Sequence, residues 1–445
     1  MRKSIWTAAI ASAAVAALSG AALAQDQQPS TAELKAQIDA LQRQINQIQA
    51  REAAAPENQA TAAAVQQDAA AKSQVMGPIY GGWNKGFRLQ SADGKFSLQP
   101  GFLFQFRNIT NYRSDEGDLE NGFEFRRLRL YLGGNMFSKQ LKYFIQLDNN
   151  RNTGSTTLLD AYAQYNFENS PWAIKFGQYR NSWVHEGDVG DKNQLADERS
   201  LIDYTLGGSI TDRVQGVALR YEAQSDADPF YGELSFHDSD NSKNTDFRDN
   251  DFTTPGRVNG NFGASARLNY KIFGHWDDYQ QFSARGIKED LLVAGGGIDF
   301  SEAGDTNVTR LTTDLQWANT QGFSAYGELN YNNTTTGSGG GSGDDYGALG
   351  QVGWVIDPSA PQWEVFARYA YVHLDADIAG EDNFHEIAGG VNYYFGPNGS
   401  WGNNVRLTVD LNYLPNGSPG NITGLGYLGS SGNEIVLRTQ LQLQL

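Results

Sequence analysis

From about residue 96 to the end, apolar and polar side chains alternate with a period of two. Phe102, Phe104 and Phe106 alternate with Leu103, Gln105 and Arg107, and Leu128, Leu130 and Leu132 with Arg127, Arg129 and Tyr131. Val405, Leu407, Val409 and Leu411 do the same with Arg406, Thr408, Asp410 and Asn412. A period of two belongs to β-strands whose two faces meet different surroundings. Sixteen such segments can be read, starting near residues 96, 123, 140, 157, 172, 213, 229, 262, 290, 307, 322, 346, 362, 384, 404 and 434. Repeated charged second faces suit a barrel with hydrocarbon outside and water inside. Beyond the leader, no run of 18 apolar residues offers a membrane-spanning helix, and only helices and closed barrels satisfy their backbone in lipid.

The connections add an independent signal. Membrane barrels alternate short turns at one end with longer loops at the other. The candidate turns are 168–171, 319–322 and 357–361, and the candidate outer loops are 108–121, 237–261, 334–345 and 415–433. Segment 274–289 breaks the pattern, being too long for a turn. Trp172, Trp317, Trp354, Trp363, Tyr393 and Tyr394 fall near strand ends, as interfacial aromatics do.

The N-terminal part follows other rules. Arg2 and Lys3, the apolar run 5–18 and Ala22-Leu23-Ala24 read as a signal peptide over residues 1–24. Leu34, Ile38, Leu41, Ile45 and Ile48 then recur at spacings of four and three, an a/d seam predicting a short α-helical coiled coil over 31–52. A lone amphipathic helix lying on its own domain is the alternative. Residues 53–82 read as an Ala/Gln-rich spacer, and 83–445 as the barrel domain. The fold class expected is therefore all-β, a 16-stranded antiparallel transmembrane β-barrel behind a helical coiled-coil segment.

Three stretches carry a family resemblance. The run from Phe123 through Arg126-Arg127-Leu128-Arg129 to Gly133-Gly134 is followed by Leu159-Asp160-Ala161-Tyr162 and by Ile174-Lys175-Phe176-Gly177-Gln178-Tyr179. In this order they resemble the phosphate-selective porin O/P family. The resemblance implies a trimeric outer-membrane channel in a Gram-negative bacterium, whose third outer loop folds inward; the matching loop is 181–206. Asn181-Ser182-Trp183-Val184 replaces the proline-rich stretch expected there, and Leu445 stands where an aromatic commonly closes such barrels.

In a channel of this kind, rings of charged side chains sort ions by sign. The polar strand faces supply Arg107, Arg127, Arg129, Lys142, Lys175, Arg220, Arg267, Lys271, Arg310, Arg368, Arg406 and Arg438. Against them stand Asp148, Asp160, Glu222, Glu233, Asp299, Asp314, Glu328, Glu364, Glu386 and Asp410. This wall is more basic than the chain as a whole, which carries 34 basic and 51 acidic residues. Arginine binds oxyanions bidentately, so the wall could form an anion track, or the opposite charges could pair across strands. The inward loop carries Glu186, Asp188, Asp191, Asp197, Glu198 and Asp203 against Lys192, Arg199 and His185. Its acids either repel anions from the channel or pair with wall arginines; the sequence leaves both open.

Other chemistries find little footing. A net charge of −17 argues against nucleic-acid partners, and the absence of cysteine excludes disulfides and thiolate sites. Gly424-Leu425-Gly426-Tyr427-Leu428-Gly429 spells a dinucleotide fingerprint but opens no helix. The histidines (His185, His237, His275, His373, His385) lack metal-ligand spacing, and no nucleophile elbow is present. The acidic stretch 238–251 could take divalent cations at a lipid surface, though a solvated loop is the simpler reading. The expectation is no enzyme, cofactor or metal, but a passive channel for small hydrophilic solutes, anions such as phosphate first. Its partners would be outer-membrane lipid, two further copies and, through a periplasmic coiled coil, the cell wall. A general or cation-preferring porin that also tethers the envelope is the second reading.

Overall fold

The computed structural model describes residues 31–53, 79–83, 86–245, 262–337, 342–375, 382–420 and 422–445, in two compact units divided after Gly77. The signal peptide, most of the spacer and part of the acidic stretch lie outside the described residues. In the first unit, helix α1 spans Thr31–Ala53, with Ile38, Leu41 and Ile45 exposed along it.

The second unit opens with a hairpin, β1 (Ile79–Trp83) and β2 (Phe87–Ser91), absent from the sequence reading. Then come β3 (Ser97–Arg113), β4 (Asp118–Asn135), β5 (Leu141–Asn149), β6 (Thr156–Asn166), β7 (Trp172–Arg180) and β8 (Arg213–Tyr221). β9 (Phe230–His237), β10 (Phe262–Phe273), β11 (Leu291–Ala303), β12 (Thr306–Ala318) and β13 (Phe323–Thr336) follow. β14 (Ser342–Val355), β15 (Trp363–His373), β16 (Asn383–Tyr394), β17 (Val405–Leu414) and β18 (Glu434–Gln444) complete the wall. Each strand from β3 on pairs antiparallel with the next, and β18 returns to β3 through Leu441↔Phe106 and Leu443↔Phe104. The result is a closed barrel of sixteen strands. Closure leaves no unpaired edge, the condition for sitting in lipid.

Burial is inverted relative to a water-soluble protein. Leu130 and Leu268, on the outer face, are each 58% exposed, whereas Arg107 and Arg406 inside are 1% exposed. The alternation slips at two bulges. β3 pairs Gln105 with Arg127 and Phe106 with Phe125, so Arg126 is an extra residue. β5 pairs Gln146 with Asp160 and Leu147 with Leu158, which leaves Leu159 extra. Both slips turn two consecutive side chains inward.

Two expectations are corrected. Residues 108–121 are largely strand, with only 114–117 between β3 and β4, because ladder hydrogen bonds extend the hairpin past its apolar belt. Nor is the interior wholly aqueous. Residues 181–212 fold inward as short helices α2 (His185–Asp188), α3 (Leu201–Thr205) and α4 (Gly208–Thr211). Leu195, Leu201, Ile202 and Leu206 pack there on Tyr326, Leu349, Phe366, Val372, Phe384 and Leu414 of the inner wall. The lack of a side chain at Gly297 matters to this seat: a Cβ there would lie 2.0 Å from the Trp183 carbonyl oxygen.

Candidate functional site

The inward loop is held to the wall by charge. Glu198 accepts from Arg126 Nε at 2.5 Å, from Arg127 Nη2 at 2.7 Å and from Arg107 Nη1 at 3.1 Å. Burial alone would raise its carboxyl, but those guanidinium groups outweigh burial and hold it well below the ordinary carboxylate range. Asp191 is treated the same way by Arg127, Arg199 and Arg129. Asp197 takes Arg107 at 3.3 Å and Arg438 at 3.7 Å. The loop backbone is tied too: Arg368 donates to the Glu198 carbonyl and Arg406 to that of Gln194, both at 2.8 Å. Glu186 and Asp203 serve the loop itself, accepting from Ser200 N and Gly208 N.

Most of the other wall cations are paired with carboxylates, chiefly across strands. Lys175 meets Glu233 at 2.8 Å, Arg220 meets Glu222 and Glu233, Arg267 meets Asp314 at 2.7 Å, and Arg310 meets Asp299 at 2.7 Å. Arg368 and Arg438 pair with Glu386 and Asp410. Lys142 is exposed on the same face of β5 as Phe144 and Gln146.

Between the loop and the wall formed by β3 to β10 lie two adjoining cavities of about 220 and 370 Å³, sharing Phe144, Arg180 and Asp188. Eight cationic side chains border them: Arg129, Lys175, Arg180, Lys192, Arg199, Arg213, Arg220 and Arg267. The carboxylates on the lining are Asp160, Asp188 and Asp191. Unlike Asp191 and Glu198, Asp188 is pushed up by burial to about 6, only partly offset by Arg267 and Arg180, and burial raises Glu186 likewise, to about 7.

Segment 274–290, the overlong turn, enters from the opposite end. Tyr279 stacks on His185, its hydroxyl takes a hydrogen bond from Arg267, and Asn193 of the loop donates to the Gln280 carbonyl at 2.9 Å. The glycine-rich run 424–429 also turns inward. Its Gly424 and Leu425 carbonyls accept from Arg107 and Arg438, so the backbone of this run satisfies barrel arginines rather than a pyrophosphate.

Of the sequence-predicted residues, Arg129, Lys175, Arg220, Arg267, His185, Asp191, Lys192 and Arg199 border the cavities. Arg107, Arg127, Arg368, Arg406, Arg438, Asp197 and Asp203 lie buried in the loop's seat, and Arg310 lies beside Asp240 of the next inward-leaning loop. Sequence reasoning missed Arg126, Arg180, Arg213 and Tyr279. The phase change from Phe123 and Phe125 to Leu128 and Leu130 was a usable signal for Arg126.

The sequence profile described as phosphate-selective porin O and P matches residues 96–442. No curated protein matches the sequence. Among solved structures, the chain is similar to an anion-selective porin from Comamonas acidovorans, at 11% identity over 79% of this chain and 100% of that one, TM-score 0.54. It is also similar to the outer membrane channel DcaP of Acinetobacter baumannii, at 14% identity over 80% and 99% of the two chains, TM-score 0.51. OprB of Pseudomonas putida aligns at 9% identity over 78% and 94%, TM-score 0.51. At such identities the likeness is one of fold.

Proposed function

Because the chain belongs to the phosphate-selective porin O and P family and is an outer-membrane channel protein, we propose that it passes small hydrophilic anions, phosphate among them, by diffusion through the barrel. The observation that carries this reading is the fate of the loop's acids. Glu198, Asp191 and Asp197 are spent on wall arginines, while the cavity lining keeps eight cations against three carboxylates. Most of these cations also have a carboxylate partner behind the lining, so the reading rests on their excess along the lining itself, where cations raise the local concentration of anions. The test is the reversal potential of single channels in a potassium chloride gradient. A potential on the chloride side is expected, and one on the potassium side overturns the anion reading.

A homotrimer exported by the signal at 1–24 completes the proposal, with residues 31–52 pairing as a three-stranded coil. The exposed Ile38, Leu41 and Ile45 support this, since an apolar seam at spacings of three and four gains by meeting copies of itself. Deleting residues 31–53 should leave conductance intact and weaken trimers in detergent; trimers of unchanged stability remove the coil's role. Contact of that coil with the cell wall is a further part of the proposal, read out by envelope attachment of the same deletion.

A further inference from the structure

Strand β4 outlasts its neighbour on one side. Residues 129–135 pair with β5, but 118–128 pair with β3 alone, so β4 has an open edge where β5 has ended. Beside that edge, between β3, β4 and residues 423–428, lies a cavity of about 260 Å³, apart from the two behind the inward loop. Its space comes from Gly122. Glu120, Gly122 and Glu124 share one face of β4, and a Cβ on Gly122 would meet nothing within 4 Å.

The lining joins hydrogen-bond acceptors to apolar surface. Asn111 is 2% exposed; its Nδ2 donates to the Gly426 carbonyl at 2.8 Å and to Glu434 at 2.6 Å, and its Oδ1 is buried without a partner. A buried acceptor left unmet costs free energy that a ligand's donor recovers. Glu120 takes Arg113, and Glu124 takes Arg107 and Arg151, each through Oε1. Both carboxylates are therefore neutralised already and offer acceptors without much net charge. Ile109, Phe123 and Leu428 supply apolar surface beside them.

We propose that this cavity binds a single neutral sugar ring, its hydroxyls donating to Asn111, Glu120 and Glu124 and its C–H face lying on the apolar side chains. A cation finds these carboxylates taken, and an anion meets acceptors. A purely apolar ligand would leave Asn111 unmet. A hydroxylated ring satisfies both parts of the lining. The site is independent of the sign of the ions that the channel passes. A free saccharide and the surface glycan of an outer membrane offer the same chemistry, and the experiment separates them.

In one arm, full-length protein in a detergent without a sugar headgroup is titrated with the methyl glycosides of glucose, galactose and mannose, followed by saturation-transfer NMR. In the other, it is reconstituted in vesicles holding lipopolysaccharide with its core sugars or lipid A alone, and the lipid it retains is read by native mass spectrometry. Saturable binding of a glycoside identifies a free saccharide; preferential retention of the sugar-bearing lipid identifies surface glycan. Either signal should weaken about tenfold in Asn111→Leu and be lost in Gly122→Leu, which fills the space without backbone strain. Binding that Gly122→Leu leaves intact overturns the site. So does the absence of glycoside binding together with equal retention of the two lipids. Should Asn111→Leu fail to insert, Gly122→Leu decides alone.

Discussion

The imidazole of His185 lies flat on the ring of Tyr279, centroids 3.9 Å apart and planes 2° from parallel. One ring belongs to the loop entering from one end of the barrel, the other to segment 274–290 entering from the opposite end. Burial holds the histidine down to about 4, so a neutral ring stacks there at ordinary pH.

Tyr279→Ala removes this stack together with the hydrogen bonds to Arg267 and Asn269. Such a stack is worth ~0.5–1.5 kcal/mol, so the barrel should still fold. Single-channel recordings should show higher conductance and more open-state noise, because the loop is left with its Asn193 and Phe282 contacts to the lower segment. Conductance equal to wild type would mean that segment 274–290 does not bound the passage.

Glu198→Ala leaves Arg126, Arg127 and Arg107 short of their shared anion. Breaking a buried charge pair from one side costs ~3–5 kcal/mol, and the loss should appear as a lower urea midpoint and a wider channel. The carboxyl's depressed native pKa gives stability that is present above the ordinary carboxylate range and lost only as pH falls through the native value. The Glu198 anchor should therefore persist from pH 7 to 4, so that Glu198→Ala stays wider than wild type across that range.

Asp188 should behave oppositely. Its native pKa, raised to about 6 by burial, makes it take up a proton between pH 7 and 5 while the loop stays anchored. Protonation removes a negative charge from the lining, so anion preference should rise on acidification. Asp188→Asn should show a raised preference already at pH 7 and a smaller step, the remainder belonging to Glu186, whose carboxyl burial raises to about 7. A pH-independent reversal potential in wild type would contradict this.

Leu130, exposed on the outer face of β4, tests the lipid-facing assignment. Leu130→Arg should destabilise the barrel by ~2–4 kcal/mol if it sits near the bilayer midplane. Equilibrium unfolding from lipid vesicles reads this directly, and a change below ~1 kcal/mol would place Leu130 near the interface.

All sixteen wall strands begin within a few residues of the positions read from sequence, because lipid on one face and water or packed charge on the other force a two-residue period. The first hairpin was not legible: Gly81 and Gly82 interrupt its short β1. Arg180 was invisible for another reason. It shares the parity of Trp172 and Phe176, and so counted as lipid-facing, yet it lies at the last strand position, where the chain turns inward. Which arginine meets which loop acid was also hidden, since Arg107 and Glu198 are 91 residues apart and no period links them.

The loop's attachments have a mechanical side. Glu198 and Asp191 fasten it to β4, while His185 hydrogen-bonds Gln316 at 2.6 Å on β12, eight strands further round the ring of sixteen. A segment fixed at both ends of a diameter acts as a strut. Squeezed sideways by its bilayer, the cylinder resists flattening along that line, and any ovality should develop across it.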